Sequence, residues 1–260
     1  MKKSALVLAA SLAVTAVPTI AFAEDAPAAS PLTFNIGAVS DYRYRGISQT
    51  KMKPAIQGGA DYANGPIYVG TWLSTIQWVK DTGKALGGDS GNAPVEWDLY
   101  GGTKGDIIKD TLTYDVGVLA YVYLGEKFHN IGFSNPDTGE FYGALTYGVF
   151  TGKVSISATP LFGVPKSKGS QYYDLSANFD LGSGFTLTPD VGYQNVTGSF
   201  SKANNVSYTD YSLTLGKDFG KGLSASLQVI ATDADKVWYV TSGGKFTGRT
   251  GVVAGVKYSF

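Results

Sequence analysis

Charged side chains make up only 16% of this chain, yet several fall on alternate positions. Asp41, Arg43 and Arg45 are separated by Tyr42 and Tyr44, and Glu96 and Asp98 flank Trp97. Asp61 and Asp115 stand among apolar neighbours in the same way. In an extended chain a two-residue spacing puts such groups on one face. Carboxylates and guanidiniums sharing a face have two uses. They pair, an arginine forking onto Glu96 or Asp98. Or they line an aqueous path, where mixed charges create a transverse field and set ion preference. Catalytic patterns are weaker. His129 is the single histidine, in Glu126-Lys127-Phe128-His129-Asn130, with no nucleophile context such as G-x-S-x-G. It reads as a solvated loop residue. With no cysteine and no histidine cluster, neither thiolate chemistry nor a zinc site is expected. Asp233 and Asp235 read as ordinary loop acids. The expectation is a non-enzyme with no catalytic residues, metal or cofactor.

The elements that would position these charges are strands. Period-2 alternation recurs along the chain. Leu32, Phe34, Ile36 and Ala38 oppose Thr33 and Asn35. Leu112, Tyr114, Val116 and Val118 oppose Thr113 and Asp115; Phe185, Leu187, Val191 and Tyr193 oppose Thr186, Asp190 and Gln194. Twelve segments are expected, at about 32–44, 55–62, 67–78, from 95, 112–122, 141–150, 154–162, 173–180, 185–194, 207–219, 223–229 and 250–260. Short connections follow the even-numbered segments: Asn64-Gly65-Pro66, Thr103–Asp110, Thr151-Gly152, Leu181–Gly184 and Gly220–Gly222. Longer polar ones follow the odd segments. That asymmetry predicts an all-β, antiparallel transmembrane β-barrel of about 12 strands, with short periplasmic turns and longer extracellular loops. The 34 glycines and 17 tyrosines suit tight turns and aromatic girdles at the membrane interfaces. Register in segments 2 and 3 is ambiguous, one being glycine-rich and the other apolar on both faces.

The ends support export. Lys2-Lys3, the apolar run Ala5–Val17 and Ala21-Phe22-Ala23 form a secretory signal cleaved after Ala23. Residues 1–23 are read as the signal, 24–31 as a short periplasmic segment and 32–260 as the barrel. Losing Lys2 and Lys3 leaves the remainder slightly acidic, which excludes a nucleic-acid footprint. The final strand places Val256, Tyr258 and Phe260 on its apolar face and resembles the closing strand and insertion signal of outer-membrane barrels.

The stretch Val39–Thr50 (VSDYRYRGISQT), followed by Lys53–Gly59 (KPAIQGG), Tyr68–Trp72 and Glu96–Gly102, resembles the TorF family of proteins labelled porins. The resemblance implies a Gram-negative outer-membrane barrel inserted by the barrel-assembly machinery. It supplies neither a solute nor catalytic residues.

Together these readings predict a passive channel for small polar or charged solutes, in contact with outer-membrane lipid. Asp41, Arg43, Arg45, Asp61, Glu96, Asp98 and Asp115 are its expected lining. The alternatives are a non-conducting structural or adhesion barrel, a barrel hydrolase and a soluble periplasmic β-domain. Twelve strands lie between a filled interior and an open channel. A plug formed by loop 46–53 or by the loop near 83–91 is therefore as compatible with the sequence as an open lumen.

Overall fold

The structure, a computed structural model, describes residues 30–260. The signal segment with Ala21 and Ala23, and nearly all of segment 24–31, lie outside the described residues. Twelve antiparallel strands close on themselves. They are β1 (Leu32–Val39), β2 (Ala55–Asn64), β3 (Ile67–Thr75), β4 (Val95–Ile108), β5 (Leu112–Val122), β6 (Thr138–Tyr147), β7 (Phe150–Ser157), β8 (Gln171–Ala177, resuming as Phe179–Gly182), β9 (Phe185–Asn195), β10 (Tyr208–Gly220), β11 (Leu223–Thr232) and β12 (Gly251–Ser259). Each pairs with its sequence neighbours, and β1 also pairs with β12, with Ile36 opposite Tyr258. At this seam Phe34 and Phe260 exchange backbone hydrogen bonds of 2.8 and 3.0 Å, and their rings stack at 5.8 Å. Among the described residues no edge strand of the barrel is left open, as hydrocarbon requires.

Alternation decides the faces. Ile36, Ile56, Val69, Val118, Phe141, Leu175, Leu213, Val229 and Val252 are exposed on the outer wall. Their neighbours in sequence point to the lumen. A contiguous apolar exterior of this extent belongs against lipid rather than water. The register of β2 and β3 is resolved: Ile56 and Val69 face out, Asp61 and Tyr68 face in. Among the described residues no helix is long and apolar enough to cross a membrane.

Several boundaries differ from the sequence expectation. Segment 103–110 is mostly strand, because β4 runs to Ile108 and pairs there with Leu112. Thr151-Gly152 lies inside β7; the reversal is at Gly148-Val149, where Gly148 takes φ +59°. Trp78 leaves the third strand and opens α1 (Trp78–Ala85), and a second short helix, α2, spans Gly198–Asn204. Phe162 is not in β7 but in a tight turn at φ +46°. β1 stops at Val39, five residues before its expected end.

The tyrosines also divide differently from a pure girdle. Tyr62, Tyr147, Tyr173, Tyr193, Tyr211 and Tyr258 are exposed on the outer wall. Tyr42, Tyr68, Tyr100, Tyr121, Tyr123, Tyr142, Tyr172 and Tyr208 are buried inside. Tyr68, Tyr100, Tyr142 and Tyr172 lie over Gly102, Gly70, Gly117 and Gly192 of neighbouring strands, in space that a Cβ would occupy. These rings fill much of the interior of a barrel of this size.

Candidate functional site: the plugged lumen

After Val39 the chain turns inward rather than continuing up the wall. Residues 40–54 fold into the upper lumen. Arg43–Tyr44 pairs with Ile47–Ser48 as a minimal hairpin. Its two-residue turn is Arg45-Gly46, with φ +45° and +80°. Positive φ at both positions is the geometry that lets a two-residue hairpin close. A side chain at Gly46 would run into Thr232 and Asp210.

The charges on this hairpin are buried and satisfied one by one. Asp41 accepts from Arg43 Nε at 2.5 Å, Ser48 Oγ at 2.5 Å and Thr50 Oγ1 at 3.1 Å. Arg43 Nη1 donates to the carbonyls of Gly46, Thr247 and Arg249 at 3.0, 2.9 and 3.1 Å. Arg45 spans the lumen. Its Nη2 donates to both oxygens of Glu140 on β6, at 3.0 and 2.8 Å, and its Nη1 to Gln194 Oε1 on β9 at 2.7 Å. The guanidinium also packs 4.3 Å from the Tyr172 ring centre and 4.8 Å from that of Tyr44. A buried ion pair with this many partners holds the hairpin to one position.

The expected sharing of one wall by arginines and acids does not occur. Asp41, Arg43 and Arg45 are on the plug, not on β1. Glu96 and Asp98 do face the lumen from β4 and are both buried, but neither meets an arginine. Glu96 instead accepts from Tyr42 OH at 2.5 Å and Tyr123 OH at 2.6 Å. Burial, reinforced by the Glu96 charge, pushes the Tyr42 hydroxyl well above the usual tyrosine range, so it stays a donor. Asp98 Oδ1 is buried with no hydrogen-bond partner among the described residues.

Asp61 and Asp115 face inward as expected but lie deeper, towards the short turns. Asp61 accepts from Tyr100 OH and Asp115 from Tyr68 OH, each at 2.5 Å. At the same depth the wall carries Lys104, Lys153, Asp174, Asp190 and Lys257, all on inward positions of their strands. Lys104 and Lys153 sit 5.4 and 4.5 Å from the Tyr68 and Tyr142 ring centres.

Above the plug the remaining loops close over it. Gln49 O accepts from the backbone of Gln77 and Trp78 at 2.9 and 3.1 Å, and Ser48 N–H donates to Thr247 O at 3.0 Å. Asp81 on α1 takes both Lys51 of the plug loop and Ser242 of the last loop. His129 is exposed in the 3₁₀ turn Phe128–Ile131. Asp233 and Asp235 accept backbone N–H groups of Thr209 and Val237, at 2.6 and 2.8 Å, and shape their loop.

Sequence reasoning did not single out Glu140, Gln194 or Tyr172 as site residues, although it set Gln194 on the polar face of its strand. The alternation around Phe141 and Tyr193 places Glu140 and Gln194 inward, so the same period-2 test marks them. Nothing local marks them as partners of Arg45, which is 95 and 149 residues away.

Residues 24–260 match a family described as "Bacterial protein of unknown function (Gcw_chp)". The chain belongs to this family. No curated protein matches it in sequence. Among solved structures it is similar to the NanC porin in a rhombohedral crystal form, with a TM-score of 0.51 at 11% identity, over 88% of this chain and 98% of that one. Pseudomonas aeruginosa OprD also matches, with a TM-score of 0.40 at 13% identity, over 88% of this chain and 66% of that one. At such identity the likeness to NanC establishes the fold: this Gcw_chp protein is a porin-like 12-stranded barrel. The TorF name remains a resemblance carried by the motifs above.

Proposed function

We propose that this Gcw_chp protein is an outer-membrane channel for small polar or charged solutes, constricted at its extracellular end by the plug of residues 40–54. The observation that carries the reading is the polar inner wall of the turn half, with Asp61, Lys104, Asp115, Lys153, Asp190 and Lys257 inside a barrel whose exterior is apolar. Placing the short turns in the periplasm puts this half next to the periplasm and the loops outside. Outer-membrane lipid is the partner of the apolar wall. The barrel-assembly machinery is the partner during insertion, with Val256, Tyr258 and Phe260 on the lipid face of the last strand.

A filled upper lumen favours a second reading, a non-conducting barrel acting through its loops. Planar-bilayer recording separates the two. Wild-type protein is expected to give small, infrequent steps. Replacing residues 41–50 by a short Gly-Ser linker removes the plug and should give large discrete steps. A folded, inserted, plug-less barrel that stays silent would sink the channel reading. In the channel reading Arg43 and Arg45 act as plug fasteners, so Arg43→Ala with Arg45→Ala changes conductance before it changes ion preference.

A further inference from the structure

The loops above the plug enclose a chamber of about 310 Å³, at the lower end of the ~300–1,000 Å³ of small-molecule pockets. Its character is opposite to that of the lumen below. Trp78, Phe162, Phe200, Trp238, Tyr239 and Tyr44 are among the rings that line it. The rings are fixed edge-to-face: Trp78 lies 5.0 Å from Tyr123, Phe162 5.5 Å from Tyr44, and Phe200 5.1 Å from Trp238. Aromatic rings held in place in this way make a preformed apolar and polarisable wall, a surface to which organic cations are attracted.

The charge of the chamber is also one-sided. Three ionisable chains of Lys, Asp and Glu type line it: Lys51, Asp81 and Glu96. Lys51 and Asp81 neutralise each other at the rim. Glu96 is 2% exposed, and among the described residues it has no cationic partner, only the hydroxyls of Tyr42 and Tyr123. The nearby guanidinium of Arg45 is held by Glu140 and Gln194. The lining therefore keeps one carboxyl group without a cationic partner, among aromatic side chains. A buried carboxyl of this kind holds its negative charge only when a counter-charge arrives, so a bound cation and the ionised form favour each other. The indole N–H of Trp78 is likewise buried without an acceptor among the described residues.

We propose that this chamber binds small organic cations with an aromatic or alkyl body, the ammonium group directed towards Glu96. A neutral apolar molecule would gain the aromatic contacts but leave the carboxylate uncompensated. An inorganic cation would gain the charge but leave the apolar wall dry and unused. An anion meets repulsion from both. The inference does not depend on whether the barrel conducts.

Titration of benzylammonium into the detergent-extracted, folded protein, followed by tryptophan emission, tests this. Benzyl alcohol serves as the neutral probe of similar size, and sodium benzoate as the anion. Benzylammonium should bind saturably and about tenfold more tightly than benzyl alcohol, with no saturable response to benzoate. Glu96→Gln should bring amine and alcohol to near parity, and Phe200→Leu should weaken the amine while preserving its preference. Equal affinity of amine and alcohol in the unmodified protein overturns the proposal, even if Glu96→Gln fails to fold. So does a preference that survives Glu96→Gln in a folded barrel. Because the readout is equilibrium binding in detergent, silence in a bilayer leaves this result unaffected.

Discussion

The two halves of this barrel are built from the same alternating strands but solve the interior differently. In the loop half, the lumen is filled by a folded-in segment, and its buried charges have designated partners: Asp41 with Arg43, Arg45 with Glu140 and Gln194. In the turn half, charges line the wall one strand at a time, and Asp61 and Asp115 are met by the hydroxyls of Tyr100 and Tyr68. The contrast teaches how a mid-sized barrel divides its cross-section. A hairpin inserted from one end can occlude without altering the strands. At the other end side chains alone fill the section, and they leave it polar.

Three substitutions test this division. The largest effect is expected from Glu140→Ala. It leaves Arg45 buried opposite an empty position, and losing one partner of a buried pair costs about 3–5 kcal/mol. The plug should come loose, so denaturant resistance of the folded band on unheated gels falls while conductance rises. A drop in stability with unchanged conductance would mean that Arg45 does not hold the plug. Gly192→Ala comes next. The new methyl meets the hydroxyl of Tyr172, a residue that donates to Asp210 and whose ring lies under Arg45. Overpacking of this kind costs about 1–3 kcal/mol, and the effect should add less than independently to Glu140→Ala, since both act on Arg45. The smallest stability effect belongs to the turn half. Lys257→Gln removes an inward charge beside Asp61 without breaking an ion pair, so stability should move by less than about 0.5 kcal/mol. Reversal potentials of the plug-less barrel should nonetheless shift towards cations. A stability loss as large as that of Glu140→Ala would erase the distinction between the halves.

How the sequence relates to this outcome is clearest at individual residues. Asp61, Glu96, Asp98 and Asp115 face the lumen as their spacing predicts, because period-2 alternation is a property of each strand alone. Asp41, Arg43 and Arg45 show the same spacing and yet sit on the plug. The local pattern Tyr42-Arg43-Tyr44-Arg45-Gly46 is equally a strand end or a tight hairpin, and only Gly46 hinted at the turn. The aromatic chamber was not legible at all, since Trp78, Phe162, Phe200 and Trp238 come from four separate loops. Tyrosine abundance suggested girdles, whereas the inward tyrosines are placed by glycines on adjacent strands.

The sequence by itself determined the twelve alternating strands, the inequality of turns and loops, and the apolar exterior. Each depends on residues close in the chain and on a periodicity that survives any change of partners. Only the tertiary structure decided that the first loop turns inward, that Arg45 crosses to Glu140 rather than Glu96, and that the loops close over an aromatic chamber. Those outcomes depend on contacts between residues up to 206 positions apart. Their selection rests on which buried charges and rings find complementary neighbours, which no local pattern specifies.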